Sequence, residues 1–91
     1  MPIRNRFVDP EGFCVACGRE GVSLHHVKTR GAGGTNDDFN LMPLCQAHHN
    51  QVHAVGLSRV AEIYYGIIEW LESNNWKYDK YVARWLHDKE F

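Results

Sequence analysis

The side chains that could do chemistry are concentrated in the first 56 residues, which hold all three cysteines and five of the six histidines. Thiolate sulfur and imidazole nitrogen are the usual protein ligands of zinc and of other divalent transition metals. An odd number of cysteines fits a disulfide framework poorly, which favours metal ligation instead. The residue types therefore predict metal chemistry.

Four of these residues form a Cys-x-x-Cys pair and a Cys-x-x-His pair separated by 27 residues, namely Cys14, Cys17, Cys45 and His48. A two-residue gap at a tight turn lets both side chains of a pair reach one ion. Two such pairs complete a tetrahedron without an open position, as in a structural zinc site. The alternative is ordinary buried thiols and a surface histidine, but the pattern uses every cysteine. The zinc would also add folding free energy to a small core.

The remaining histidines of this region predict a second, open metal site. His49 and His53 are four residues apart on a predicted helix, so they share a face. His25 and His26 are adjacent on a predicted strand, so one can bind metal while the other points elsewhere. A site made by His25, His49 and His53 would leave positions for water and phosphate, as catalytic sites do. The alternative is two exposed helix histidines and a His25 packed in the core.

The identity of the second metal is not fixed by these ligands. Three imidazoles favour zinc, nickel or cobalt by affinity, whereas Mg²⁺ and Mn²⁺ prefer oxygen ligands. Mg²⁺, Mn²⁺, Ni²⁺ and Zn²⁺ are all retained as candidates for the catalytic ion. Asp37 and Asp38 are interpreted as loop residues, because three histidines already fill the site.

The elements that position these residues predict a small α+β fold. Short strands over 22–27 and 39–42 flank a loop rich in glycine, Asn and Asp, and Pro43 ends the second strand. A helix is predicted from about Cys45 to Val55, with Gly56 in the C′ position that favours a left-handed conformation. Residues 13–56 are thus predicted to form a compact ββα unit with a zinc knuckle, inside a single domain spanning 1–91.

Residues 57–91 predict a C-terminal helical extension. Apolar residues recur at spacings of three and four up to Leu71, and Ser73-Asn74-Asn75 interrupts the pattern. The period resumes with Tyr78, Tyr81, Val82, Trp85 and Leu86. With Asp79 as an N-cap, this predicts the second helix of a helical hairpin. We expect Trp70, Trp76 and Trp85 to pack in the core rather than stack on bases, and His87 to be exposed without a partner.

The order of these motifs resembles the HNH endonuclease family, which implies for residues 13–56 a ββα-metal core with a treble-clef-like zinc knuckle. The resemblance covers residues 14–53 and lies in Leu24-His25-His26-Val27, Gly31-Ala32-Gly33-Gly34, Phe39-Asn40-Leu41, and Leu44-Cys45-Gln46-Ala47-His48-His49 with His53. The His-His pair and the closing His-x-x-x-His are similar to the nuclease domains of bacterial DNase colicins. The glycine loop, the Pro-Leu-Cys segment and the aromatic tail are similar to small phage or prophage HNH proteins.

The resemblance implies a metal-dependent endonuclease that hydrolyses phosphodiester bonds in DNA and leaves a 5′-phosphate and a 3′-hydroxyl. His26 would be the general base, and Asn40 would hold the hairpin loop that positions it. The resemblance also assigns the catalytic ion to His25, His49 and His53. His48 departs from the commoner cysteine, although three cysteines and one histidine still make a good zinc set. By its residue type alone, Asn40 would be an ordinary turn residue.

Charge gives weaker indications of a nucleic-acid partner. The formal net charge is −1, so the chain has no global basic signal. Lys28 and Arg30 directly follow the His pair and are candidate phosphate contacts, supported by Arg4, Arg6 and Arg19. Each alone is more typical of a solvated surface charge. The loop 31–34 is either a backbone phosphate cradle or a flexible turn. DNA as the partner rests on the family likeness, and the residues leave RNA open.

Two other functions compete with the nuclease. One is a non-catalytic zinc module that binds nucleic acid or protein, for which a second histidine set has no use. The other, weaker alternative is a toxin-like effector domain, although the lack of a translocation or receptor segment argues against a toxin that delivers itself. The N-terminus has no apolar signal core and the chain has no run of 18 apolar residues, which predicts a cytoplasmic protein of a bacterial or phage-infected cell. The expected protein partner is a second copy of the chain in a homodimer, or a phage or host protein of replication or recombination.

Overall fold

The computed structural model describes residues 8–88, without the side chains of positions 8–10 and 30. Within that range the elements are β1 Val8–Phe13, β2 Glu20–His26, β3 Leu41–Leu44, α1 Gln46–Val55, α2 Leu57–Ile63, α3 Tyr65–Ser73, β4 Trp76–Asp79 and β5 Arg84–His87. Two short 3₁₀ turns, Arg30–Ala32 and Asp38–Asn40, lie in the connection between β2 and β3. The expected α+β class is confirmed.

The N-terminal sheet has the order β1-β2-β3, and both pairings are antiparallel. The β2–β3 hairpin followed by α1 is the expected ββα core. Strand β1 was not predicted, because Asp, Pro, Glu and Gly are poor strand formers. It lies at the edge of the sheet, where proline is tolerated, and its register with β2 is irregular between Asp9 and Phe13.

The core lies between the sheet and the helices. Strand β3 alternates half-buried and buried residues and contributes Met42 and Leu44, both fully buried. Facing apolar side chains come from all three helices and from β4, namely Val52, Val60, Ala61, Ile67, Leu71 and Trp76. Burial of the β3 face against α1 fixes the distance between the β2 histidines and the helix histidines.

Helix α1 begins and ends where the sequence predicted. Cys45 is its N-cap, and the N–H of Gly56 donates to the carbonyl of Val52 over 2.8 Å. Gly56 has a φ of +93° but a ψ of 148°. It therefore uses the freedom of glycine to turn the chain directly into α2 instead of adopting the expected left-handed helical conformation.

The C-terminal prediction is partly wrong. Helices α2 and α3 occupy 57–73 as expected, but the segment predicted as a second helix forms the β4–β5 hairpin. Aromatic residues favour strands, and here Tyr78 pairs with Trp85 across the hairpin. Asp79 is not a helix N-cap, because its carboxylate accepts the N–H of Tyr81 over 2.8 Å within the hairpin turn.

The hairpin is fastened to the core by Trp76 and His87. The Nε1–H of buried Trp76 donates to the carbonyl of Phe39 over 2.6 Å. The expectation that His87 is exposed and unpartnered is wrong. It is half-buried, its Nε2–H donates to the carbonyl of Asn74 over 2.7 Å, and its ring stacks on Phe39 at 4.1 Å. None of the helices within residues 8–88 has the length and apolar character needed to cross a membrane.

Candidate metal centres

The four predicted zinc ligands converge at the junction of the sheet and α1. Cys14 follows β1 directly, and Cys17 lies in the turn that the N–H of Gly18 closes on the carbonyl of Cys14 at 2.8 Å. Cys45 caps α1, and His48 lies in its first turn. The ligand atoms of the four residues all lie within 4.8 Å of one another. The structure therefore brings together two pairs that are far apart in sequence.

The distances between these donor atoms fit a zinc tetrahedron. With Zn–S of about 2.3 Å and Zn–N of about 2.0 Å, two sulfurs lie about 3.8 Å apart and sulfur and nitrogen about 3.5 Å apart. The Sγ atoms of Cys17 and Cys45 are 3.8 Å apart. The Nδ1 of His48 is 3.6 Å from the Sγ of Cys14 and 3.2 Å from that of Cys45. The donor set and its spacing suggest zinc binding.

The surroundings of Cys14 favour the thiolate, which is the form that binds metal. Burial by itself raises the pKa of the Cys14 thiol. Hydrogen bonds from the backbone of Cys45, Ala16 and Cys17, with a further one from the His48 side chain, outweigh this effect and lower the pKa to about 6. Cys14 therefore favours the thiolate form in which it would bind a metal.

The C-terminal helices support the zinc knuckle, a feature that the sequence did not reveal. The ring of Tyr64 packs edge-on against His48 with centroids 4.5 Å apart. A Cβ at Gly66, on α3, would lie 2.0 Å from the carbonyl oxygen of Val15 in the Cys-x-x-Cys turn. Only glycine lets α3 approach the knuckle this closely. The available signal was a glycine within the predicted helix.

The second predicted cluster also converges. His25 is buried in β2, with 7% of its surface exposed, and faces His49 and His53 on α1. Its ring centroid is 5.2 Å from each of theirs, and the candidate ligand atoms of the three residues lie within 4.8 Å of one another. The three imidazoles form one group, which we call the histidine cluster.

The histidine cluster fits a cation with open positions. The Nε2 atoms of His49 and His53 are 3.0 Å apart. Two metal-bound imidazole nitrogens are separated by about 3.3 Å in a tetrahedron, and lone pairs this close repel unless a proton or cation lies between them. The cluster opens into a cavity of about 290 Å³ that also includes Leu24, His26 and Thr29. The Nδ1 of His49 is buried and has no hydrogen-bond partner among the described residues.

The cluster also disfavours protonation of its own members. Burial, reinforced by the positive charge that His49, His53 and His26 would carry, lowers the pKa of His25 from 6.5 to about 4. Burial and then His53 lower the pKa of His49 as well. Both imidazoles are therefore held in the neutral form that ligates metals.

His26 lines the same cavity as the histidine cluster, although it is next to His25 in sequence. It is the last residue of β2, opposite Leu41 in β3, where the chain leaves the sheet. Its Nε2–H donates to Oδ1 of Asn36 over 2.9 Å. The sequence analysis missed Asn36, because a polar residue in a loop ten positions away carries no periodic signal.

Asn40 is fully buried and ties the two ends of the β2–β3 loop together. Its Oδ1 accepts the N–H of Lys28 over 2.7 Å. Its Nδ2 donates to the carbonyls of Lys28 at 3.0 Å and of Thr35 at 2.7 Å. This geometry matches the loop-holding role that the family resemblance implied, and the catalytic consequence of that role stays a prediction.

Gly34 lets the same loop close. A Cβ at this position would lie 1.8 Å from the carbonyl oxygen of Lys28, whereas a Cβ at Gly31 would meet nothing within 4 Å. The N–H of Gly34 donates to the carbonyl of Thr29 over 2.8 Å. Gly34 therefore closes the glycine-rich segment into a hydrogen-bonded turn against Lys28 and Thr29, which favours a structural role for this residue.

The remaining predicted residues are placed less completely. Lys28 is half-buried, and its backbone makes the hydrogen bonds with Asn40 that hold the β2–β3 loop. Arg19 is exposed and follows the turn that holds Cys14 and Cys17. The side chain of Arg30 lies outside the described part of the structure, as do Arg4 and Arg6. The Asp37 carboxylate accepts the hydroxyl of Thr35 over 2.6 Å, and neither it nor Asp38 joins a ligand cluster within the described range.

The fold and the two donor clusters define a small α+β metal-binding domain with a ββα core. The family model described as HNH endonuclease matches residues 14–54. The resemblance to this family is thereby confirmed over the segment that holds both clusters, and it indicates a nuclease-type or nucleic-acid-related function. No curated protein and no solved structure matched the chain.

Proposed function

We propose that this protein is an endonuclease that hydrolyses phosphodiester bonds in DNA with the help of a divalent metal. The observation that carries the proposal is the shared cavity, in which His26 stands beside the imidazoles of His25, His49 and His53. A module that needed only its zinc knuckle would have no use for this second cluster.

The three imidazoles would hold the catalytic ion. An ion held by these residues would supply positive charge against the negative charge that develops on the phosphate. The low pKa of His25 keeps this ligand neutral well below pH 7. The cavity on the open side of the cluster offers room for a phosphate and a water.

His26 would act as the general base. Because its Nε2–H donates to Asn36, the neutral ring has its lone pair on Nδ1. That nitrogen would take a proton from the attacking water as the water oxygen bonds to phosphorus. The bond from phosphorus to the 3′ oxygen then breaks, leaving a 5′-phosphate and, once that oxygen is protonated, a 3′-hydroxyl. Imidazole suits this task near neutral pH.

The surrounding residues would position the base. Asn40 and Gly34 fix the loop that begins two residues after His26. The proposed zinc at Cys14, Cys17, Cys45 and His48 would fix the start of α1, and with it His49 and His53. Misplacement of a catalytic group by about 1 Å can cost about 100-fold in rate, so this support matters for catalysis.

The test is plasmid nicking by the intact protein with Mg²⁺, Mn²⁺, Ni²⁺ or Zn²⁺, compared with His26→Ala and with the control Asn50→Ala. Asn50 is exposed on α1 and does not line the cavity. We expect His26→Ala to keep its metal content and fold and to lose nicking. Undiminished nicking would refute the base assignment. One tight zinc and no nicking with any metal would favour the non-catalytic zinc module.

A further inference from the structure

A second, larger concavity lies beside the cavity of the histidine cluster. It has a volume of about 970 Å³, and its walls are the β4–β5 hairpin, the α1–α2 junction and the chain that follows β2. We call it the hairpin groove. Thr29 lines both the groove and the cavity, so the two are neighbours that share a wall. The hairpin lies outside the segment that the HNH family model matches.

The hairpin groove concentrates positive charge in a chain whose net charge is −1. Among the residues whose side chains the structure describes, three cations line it, Lys28, Arg59 and Arg84, against one carboxylate, Glu62. Arg59 and Arg84 are exposed and come from different elements, one from α2 and one from β5. A ligand in the groove would meet guanidinium groups from both elements, which suits the regularly spaced phosphates of a nucleic-acid backbone.

The groove also offers an aromatic surface. Tyr78 is 48% exposed and lines the groove beside Trp85, with ring centroids 5.7 Å apart and planes at 67°. Bases stack on exposed aromatic rings without sequence preference. Only an unstacked base presents such a face, because the bases of an intact duplex are already stacked on one another.

We propose that the hairpin groove binds a single-stranded stretch of nucleic acid that flanks the scissile phosphate. Its phosphates lie against Arg59 and Arg84, and one base stacks on Tyr78. The inference rests on the proposed nuclease function, since the shared wall at Thr29 is what joins the groove to the site of cleavage. It adds that the substrate is unpaired, or is opened, on one side of the cut.

The test measures binding separately from cleavage. Fluorescence anisotropy is recorded with a labelled DNA single strand of about 12 nucleotides and with the matching duplex, using the full chain carrying His26→Ala and both metals. Two matched pairs of further substitutions are compared. Arg84→Ala, in the groove, is set against Lys77→Ala on the same hairpin, and Tyr78→Ala is set against Tyr81→Ala at the hairpin tip. Neither Lys77 nor Tyr81 lines the groove.

We expect Tyr78→Ala and Arg84→Ala each to weaken single-strand binding about tenfold, and Arg84→Ala also to lower the salt slope by about one. Tyr78→Phe keeps the ring and should bind like the parent, which separates stacking from loss of fold. The control variants should bind like the parent. Equal effects of groove and control variants, or tighter binding of the duplex, would overturn the proposal.

Nicking by the protein with His26 intact separates this inference from the function on which it rests. If the protein with His26 nicks DNA and both groove variants bind the single strand normally, the nuclease proposal is supported and the proposed role of the groove is refuted. If the groove variants lose binding and the intact protein does not nick DNA with any metal, the groove is supported as a binding surface and the nuclease proposal is refuted. Both results are read on folded protein, verified by circular dichroism.

Discussion

The Nε2–H of His26 donates to Oδ1 of Asn36 across the β2–β3 loop, over 2.9 Å. This hydrogen bond fixes both the orientation of the imidazole and the nitrogen that carries its proton. Asn36 thereby acts on the proposed base without touching the proposed metal ligands. Its effect can be measured apart from metal binding.

Asn36→Ala should lower the nicking rate by about 10- to 100-fold, because the imidazole would lose its orientation and its tautomer preference. Asn36→Asp keeps an acceptor for the Nε2–H and should retain more activity than the alanine variant. Metal content should not change in either. The control is Asn50→Ala, which removes a hydrogen bond from Gln46 on the exposed face of α1. If Asn36→Ala nicks as fast as this control, Asn36 has no positioning role.

Asn40→Ala should destabilise the fold by about 3 kcal/mol, because one backbone N–H and two carbonyls lose their partner at a fully buried position. Urea unfolding measures this, and the nicking rate should fall with the disordered loop. Asn74→Ala is the comparison, since the Asn74 amide makes one hydrogen bond, to the carbonyl of Trp70. It should cost about 1 kcal/mol. An equal loss of unfolding free energy in the two variants would contradict the role of Asn40 in holding the β2–β3 loop.

Gly34→Ala should destabilise the loop by about 1–3 kcal/mol, because its Cβ would overlap the carbonyl of Lys28 and force the backbone apart. Gly31→Ala, three residues away, has open space and should change stability by less than about 0.5 kcal/mol. Thermal unfolding and nicking are measured on both. A Gly34 variant as stable and active as the Gly31 variant would show that the close approach is unimportant.

Removal of the two candidate metals should have unequal consequences. Cys45→Ser deletes a ligand of the zinc knuckle, so the chain should lose cooperative unfolding together with both metals. His53→Ala should remove one metal equivalent and nicking while leaving the fold intact. Elemental analysis and circular dichroism distinguish these outcomes. A folded Cys45→Ser protein with undiminished metal content would refute the structural zinc.

The ββα core was predictable because its signals are local. The spacing of Cys14 and Cys17 within one turn, and of His49 and His53 on one helix, is fixed by bond geometry and the 3.6-residue period. Asn40 was found through the family resemblance, and its three hydrogen bonds could not be read from sequence. The division into one domain and the cytoplasmic location stay predictions.

The sequence by itself determined helix α1 and the residue types and spacing within each ligand pair, since these depend on residues that are close along the chain. Tertiary structure decided that Tyr78 and Trp85 pair across a hairpin, that Asn36 reaches His26, and that Thr29 joins the cavity to the hairpin groove. These relationships depend on strand pairing and loop closure between distant residues. A pattern read along the chain does not record contacts of this kind.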